Sequence, residues 1–258
     1  MTAPEVYVTG LGIVSPTGIG KQAFLEGLLA GRRHLGRLQG LDVEGFRIGM
    51  GGEVELASNG ANAGRALTFA LRAAQEALED AAIELPDDAT FALGSGAGEM
   101  RVMEESLSPP EDALLDLSDP LQAPNSITTK LARRLGLRGR QITFVNACAA
   151  GAQAIAVAAD LIRSGRAQVA LAGGVEILNR MVLSGFEALR AVSSEGPRPF
   201  DADRDGIQLS ELAAFIVLES SARVTERGAS PYARFAGSGA SADAFPVVRP
   251  HERGAGAV

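Results

Sequence analysis

Residues 5–14, EVYVTGLGIV, form an apolar, β-rich run ending among glycines, a pattern that predicts a buried strand. A helix is expected over 21–30, closed by Gly31. Residues 36–62 are glycine-dense and irregular, with a strand-like piece at 52–56. Over 66–82, Leu67, Ala70, Leu71, Ala74, Leu78 and Ala81 recur at helical spacing and predict an amphipathic helix. A strand over 90–93 then opens into the loop GSGAGE, while 106–124, with four prolines and scattered acids, reads as a loop. Residues 126–135 read as helical. The clearest elements follow: a strand over 141–145, a helix over 149–164 stopped by Gly165, and a strand over 168–171 ending in Gly173-Gly174. Together they predict a β-α-β unit with parallel strands and a right-handed crossover. Residues 216–218 and 233–235 are further strand candidates, and no low-complexity linker divides the chain.

Composition changes this picture little. Apolar residues make up 46% of the 258 and charged residues 21%, ample for a buried core. A net charge of −7 argues against a broad nucleic-acid surface, which needs clustered Lys and Arg. The tight basic pairs Arg32-Arg33 and Arg133-Arg134 read as solvated helix ends. The single cysteine excludes an internal disulfide and a Cys-rich metal site. The start, MTAPEVYVTG, lacks the features of a secretory signal. Residues 141–159 carry no charge, but their change from β-branched and aromatic to alanine-rich fits a strand running into a core helix better than a membrane span. A soluble, cytoplasmic protein is expected.

Cys148 is placed where the strand ITFVN meets the helix AAGAQAIAVAADLIRSG. A thiol there faces unpaired backbone N–H groups and the positive end of the helix dipole, which favour the nucleophilic thiolate. Small neighbours (Ala147, Ala149, Ala150, Gly151) leave room for a substrate. The competing reading is a structural cysteine in a tight strand–helix turn. Cysteine catalysis ordinarily needs a base, and the two histidines, His34 in GRRHLG and His251 in RPHERG, both read as exposed. Gly10 and Gly12, and Gly94, Gly96 and Gly98, follow strands but miss the third position of the dinucleotide fingerprint, so they read as tight turns. Asp201, Asp203 and Asp205 lack calcium-loop spacing. No metal and no cofactor is implied.

Four segments, in order, resemble the β-ketoacyl synthase family: VYVTGLGIVSPTG (6–18), the stretch from LRGRQITFVNACAAG to LAGGVE (137–176), RPFDADRDG (198–206), and GSGASADAFPVVRPHERGAG (237–256). The resemblance spans nearly the whole chain. It implies a thiolase-like layered α-β-α fold, of which residues 1–258 are the N-terminal half with a mainly parallel or mixed sheet. It implies Cys148 as the acyl-accepting nucleophile, with its backbone N–H helping to hold the oxyanion. Decarboxylative condensation with a malonyl group on an acyl carrier protein would follow, in fatty-acid or polyketide synthesis. Phe186, in SGFEALRAVS, matches a family position near the acyl pocket, although ordinary core packing also explains it. Such enzymes usually pair as homodimers, and a heterodimer with a ketosynthase-type subunit is the other expectation.

The chain departs from the family in two respects. The second half, with two histidines, a lysine and a glycine-rich loop, would begin where this chain stops at Val258. The family's Gly-Glu-Gly-Ala-Gly run is Ser210-Glu211-Leu212-Ala213-Ala214 here. Three readings follow: a piece of an ordinary ketosynthase, a half completed by a separate C-terminal half, or a non-catalytic partner that binds a ketosynthase or carrier protein. Surface awaiting a second half is expected to be apolar.

Overall fold

The first expected strand forms as β1 (Val6–Ser15), at one side of a seven-stranded mixed sheet. The computed structural model describes residues 4–56, 64–106, 126–242 and 251–256. After β1 come β2 (Gly18–Ile19), α1 (Lys21–Leu29), a small hairpin of β3 (Gly36–Arg37) and β4 (Met50–Gly51), α2 (Arg65–Ala81) and β5 (Thr90–Gly94). Then follow α3 (Met100–Ser106), α4 (Ser126–Arg134), β6 (Gln141–Phe144), α5 (Ala150–Arg163) and β7 (Val169–Glu176). The remaining elements are α6 (Arg180–Ala188), β8 (Leu212–Ser220), α7 (Ser221–Arg227) and β9 (Ala233–Arg234). The sheet order is β2-β1-β8-β7-β5-β6, with β9 also paired to β1.

Strand residues alternate between two buried faces, as the two-residue pleat requires. On β7, Val169, Leu171 and Val175 join the larger cluster with α2 and α4, while Ala170 and Ala172 face α5. On β5, Phe91 and Leu93 take the α2 side and Ala92 the α5 side. Bulky residues thus face one helix layer and alanines the other, which lets α5 lie close to the sheet. This is the expected layered α/β architecture. No helix among the described residues is long and apolar enough to cross a membrane.

The expected parallel β6-α5-β7 unit forms, with β5 between the two strands and parallel to both, so the crossover passes over β5. Other sequence readings need correction. Gly10 and Gly12 are not turns but interior positions of β1. A Cβ on Gly10 would stand 2.2 Å from the Ala77 carbonyl oxygen, and one on Gly12 2.0 Å from that of Ala73. Glycine is required there because the backbone of α2 rests on the strand. Gly173-Gly174 does not end a strand either, since β7 continues to Glu176. A Cβ on Gly173 would meet the Ala214 carbonyl oxygen of β8 at 2.0 Å. The piece at 52–56 contributes one bridge, Gly52 to Ser210. The loop read at 106–124 lies outside the described residues apart from Ser106, which ends α3.

Among the described residues the middle of β1 has no strand partner on its outer side, and α2 supplies acceptors instead. Leu11 N–H donates to Asp80 and Ile13 N–H to Glu76, each at 2.9 Å. At the far end of β8, the fully buried Glu219 accepts Arg227 at 2.6 Å, Arg223 at 3.0 Å and the Thr9 hydroxyl at 2.6 Å. Desolvation alone would raise the Glu219 pKa, but Arg227, Thr9 and Arg223 together hold it below the usual glutamate value. A depressed carboxyl pKa stabilises the fold above the unfolded value and loses that contribution as pH falls through the folded one. Glu219→Gln is therefore expected to cost about 2–3 kcal/mol at pH 7, less than the full penalty for breaking a buried pair because both arginines keep water contact. In denaturant titrations, the gap from wild type should close as pH drops below ~4.

Candidate active site

Three parallel strands, β5, β6 and β7, bring their carboxyl ends to one edge of the sheet, the edge where open α/β sheets bind ligands. Cys148 sits at that edge in a one-turn 3₁₀ helix, Ala147–Ala149, which joins β6 to α5. Its thiol is free and exposed. Ala147, immediately before it, has φ of 51°, the left-handed region that an L-residue with a Cβ seldom occupies. The chain thus turns sharply at Ala147, leaving Cys148 at the surface and burying Ala150. Ala149, the N-cap of α5, supplies no side-chain cap.

The turn rests on backbone. A Cβ on Gly94, the last residue of β5, would lie 2.3 Å from the carbonyl carbon of Ala150 and 2.4 Å from the Gly151 nitrogen. A Cβ on Gly174 would lie 2.8 Å from the Gly94 carbonyl oxygen and 3.4 Å from Gly151 Cα. Ser95 N–H donates to Phe144 O at 3.0 Å, and the Ser95 hydroxyl oxygen accepts Gly98 N–H at 2.9 Å. The cluster Gly94, Gly96 and Gly98 is therefore a tight turn, as its missing third fingerprint position implied.

Glu176, at the end of β7, was not singled out from the sequence. Its carboxylate accepts the N–H of Gly96 and, at 3.4 Å, that of Ala97. Although the residue as a whole is exposed, protein around the carboxylate raises its pKa by desolvation, opposed by these two amides and the Ser95 hydroxyl. The signal was a charge closing an otherwise apolar strand after two glycines. Across the β7–β8 ladder Glu176 pairs with Leu212, which replaces the middle glycine of the family's run and is 40% exposed. Ala214 pairs with Gly174, and the Ser210 hydroxyl approaches the Gly52 carbonyl at 3.4 Å. All three replacements thus sit on β8 or at its entry, and those at 212 and 214 face the carboxyl end of β7.

His34 is exposed, as read, in the segment after α1. His251 is half-buried rather than exposed, with its Nδ1 accepting Arg253 N–H at 3.2 Å. Phe186, on α6, is half-buried, and the buried apolar clusters of the described residues do not include it. The Asp205 carboxylate staples its loop by accepting the Ser193 hydroxyl at 2.6 Å and Ser194 N–H at 3.3 Å, and Asp201 accepts Asp203 N–H at 2.8 Å.

Residues 57–223 match the family described as "Beta-ketoacyl synthase, N-terminal domain". The chain belongs to the β-ketoacyl synthase family. Among its curated relatives, the 3-oxoacyl-(acyl-carrier-protein) synthase 2 of Synechocystis sp. is 30% identical, the match covering 98% of this chain and 66% of that protein. The enzyme of the same name from Vibrio cholerae is 30% identical over 99% and 67%. This β-ketoacyl synthase chain therefore spans about two thirds of the length of such relatives. Among solved structures, the ishigamide ketosynthase/chain length factor superposes with a TM-score of 0.84 at 31% identity, covering 94% of this chain and 65% of that one. A ketosynthase in complex with its type II PKS acyl-carrier protein gives 0.80 at 30%, covering 91% and 62%.

The left-handed Ala147 gives a test of the turn. Glycine removes a cost of about 1–2 kcal/mol and gives back about 0.4–1 kcal/mol in unfolded-chain entropy. Ala147→Gly should therefore stabilise the chain by about 0.5 kcal/mol in denaturant titration, whereas Ala147→Val should destabilise it.

Proposed function

We propose that this chain carries the acyl-accepting part of a β-ketoacyl synthase-type condensing enzyme, with Cys148 as the nucleophile. What carries the reading is an exposed thiol on a sharply turned backbone at the carboxyl edge of parallel strands, in a chain of this family. In the transfer, the Cys148 thiolate attacks the carbonyl carbon of an acyl thioester and forms a new C–S bond. The tetrahedral oxyanion collapses and the original thiol leaves as thiolate, to be protonated by solvent. The backbone N–H of Cys148 is in the right part of the chain to donate to that oxyanion. Phe186 is assigned to the acyl-binding surface, and its half-burial outside the apolar clusters supports this over core packing.

Residues 1–258 are read as the N-terminal domain of the two-half fold. The decarboxylation and carbon–carbon bond formation that follow acylation need acid–base groups that this reading assigns to polypeptide equivalent to the remaining third of the relatives. An acyl carrier protein is proposed as the donor, supported by the carrier complex among the similar structures. Pairing as a homodimer, or as a heterodimer with a ketosynthase-type subunit, is supported by the ketosynthase/chain length factor. A cytoplasmic location fits that carrier-dependent chemistry. A second reading, a non-catalytic ketosynthase-like partner, is favoured by one observation: Ser210, Leu212 and Ala214 stand where the family's run has glycines.

Incubating the full chain with an acyl thioester and measuring intact mass separates the two. The first reading expects one acyl adduct, lost in Cys148→Ala. Acylation no faster than that of N-acetylcysteine would favour the binding partner.

A further inference from the structure

The loop beneath the Cys148 turn is glycine-rich and has few side chains with which to pack. Glycine also loses more conformational freedom than any other residue on being ordered. Ser95 ties the loop to Phe144 and to Gly98, and the Glu176 carboxylate holds its tip by accepting the N–H groups of Gly96 and Ala97. Such charge-assisted bonds are about twice as strong as neutral ones. Gly96 lies between that carboxylate and the turn: a Cβ placed on it would stand 3.3 Å from Glu176 Oε1 and 3.7 Å from Ala147 Cα. Gly96 therefore lies beside both Glu176 and Ala147, the residue before Cys148, with about one methyl group's space between it and Ala147. Among the described residues no lysine or arginine forms an ion pair with Glu176, so its hydrogen bonds go to this loop.

We propose that Glu176 is a positioning residue for Cys148, fixing the 95–98 loop against Ala147 and so the direction of the thiol. This rests on the reading of Cys148 as the acyl acceptor. Glu176 touches neither the thiol nor, on this account, the acyl group. It acts through two backbone amides and through the placing of Gly96 beside Ala147. Leu212, its cross-strand neighbour, shares its face of the sheet and flanks the carboxylate. Without the carboxylate, two amides at the sheet edge lose their acceptor and the loop is free to move away from Ala147.

The test uses the full chain, in which Cys148 is the single cysteine and every thiol readout is unambiguous. Acylation by a small acyl thioester, followed by intact mass, should slow ~10-fold or more in Glu176→Ala, because an orientation error of about an ångström costs up to ~100-fold. Glu176→Gln keeps the reach and one acceptor oxygen and should recover part of the rate. Alkylation by iodoacetamide, which needs an accessible thiol but little orientation, should change by less than ~3-fold. Should Glu176→Ala fold poorly, Gly96→Ala puts a methyl 3.3 Å from the carboxylate, enough to push it by a few tenths of an ångström, and is expected to slow acylation in the same direction by a smaller factor. Acylation at the wild-type rate in both Glu176 variants, or a glutamine variant as slow as alanine while equally folded, overturns the proposal. Amide hydrogen exchange separates it from the functional reading. Glu176→Ala should deprotect residues 147–149 as well as 96–97, and unchanged exchange at 147–149 overturns the positioning role whatever the acylation rate. A wild-type chain that is not acylated but shows the linked deprotection keeps the positioning role and overturns the acyl-acceptor reading.

Discussion

Backbone lies directly against backbone at several places among the described residues, and three of them frame the sheet whose edge carries Cys148. At β1, the carbonyls of Ala73 and Ala77 from α2 occupy the space where Gly12 and Gly10 would carry side chains. Between β7 and β8, the Ala214 carbonyl does the same at Gly173. At the sheet edge, Gly94, Gly151 and Gly174 meet with no side chain between them, so the end of β5, the start of α5 and β7 share one small volume. Interiors are packed at close to crystal density, and packing of this kind transmits a shift rather than absorbing it. The price is conformational entropy at each glycine, offset by the alanine-lined layers that the close approach creates around α2 and α5.

That constraint explains which features were legible in the sequence. Long amphipathic stretches were: α2 with its spaced apolar positions, and the β6, α5 and β7 succession. So was Cys148 at the head of a helix, because a thiol between a β-branched run and an alanine-rich run is a local pattern. Glycine was the main source of error. Gly10, Gly12, Gly173 and Gly174 look like local punctuation in the sequence, whereas each answers to a neighbour distant in the chain: α2 for the first two, β8 and β5 for the others. Periodicity along one segment carries no information about a carbonyl dozens of residues away. The placement of β5 between β6 and β7 was hidden for the same reason, since a β-α-β pattern gives direction but not adjacency. Glu176 was missed because its role lies in two amides of another loop.

The same geometry bears on where this chain departs from its family. Leu212 and Ala214 add side chains opposite Glu176 and Gly174, at the end of the sheet where the cysteine turn is built. The buried packing tolerates them: β8 keeps its register with β7 from Leu212 to Glu219, and Ala213 and Phe215 remain in the core. What changes is the surface beside the carboxylate, where a glycine would leave space and Leu212 fills it. Ala147 keeps its left-handed conformation beside these replacements.

The most direct test of this account is a crystal structure of the full chain after reaction with an acyl thioester. The account predicts continuous density from Cys148 Sγ, the acyl oxygen within about 2.7–3.1 Å of the Cys148 backbone nitrogen, and Ala147 still left-handed. An acyl group attached elsewhere, or a turn rebuilt so that Gly96 no longer lies beside Ala147, would contradict it.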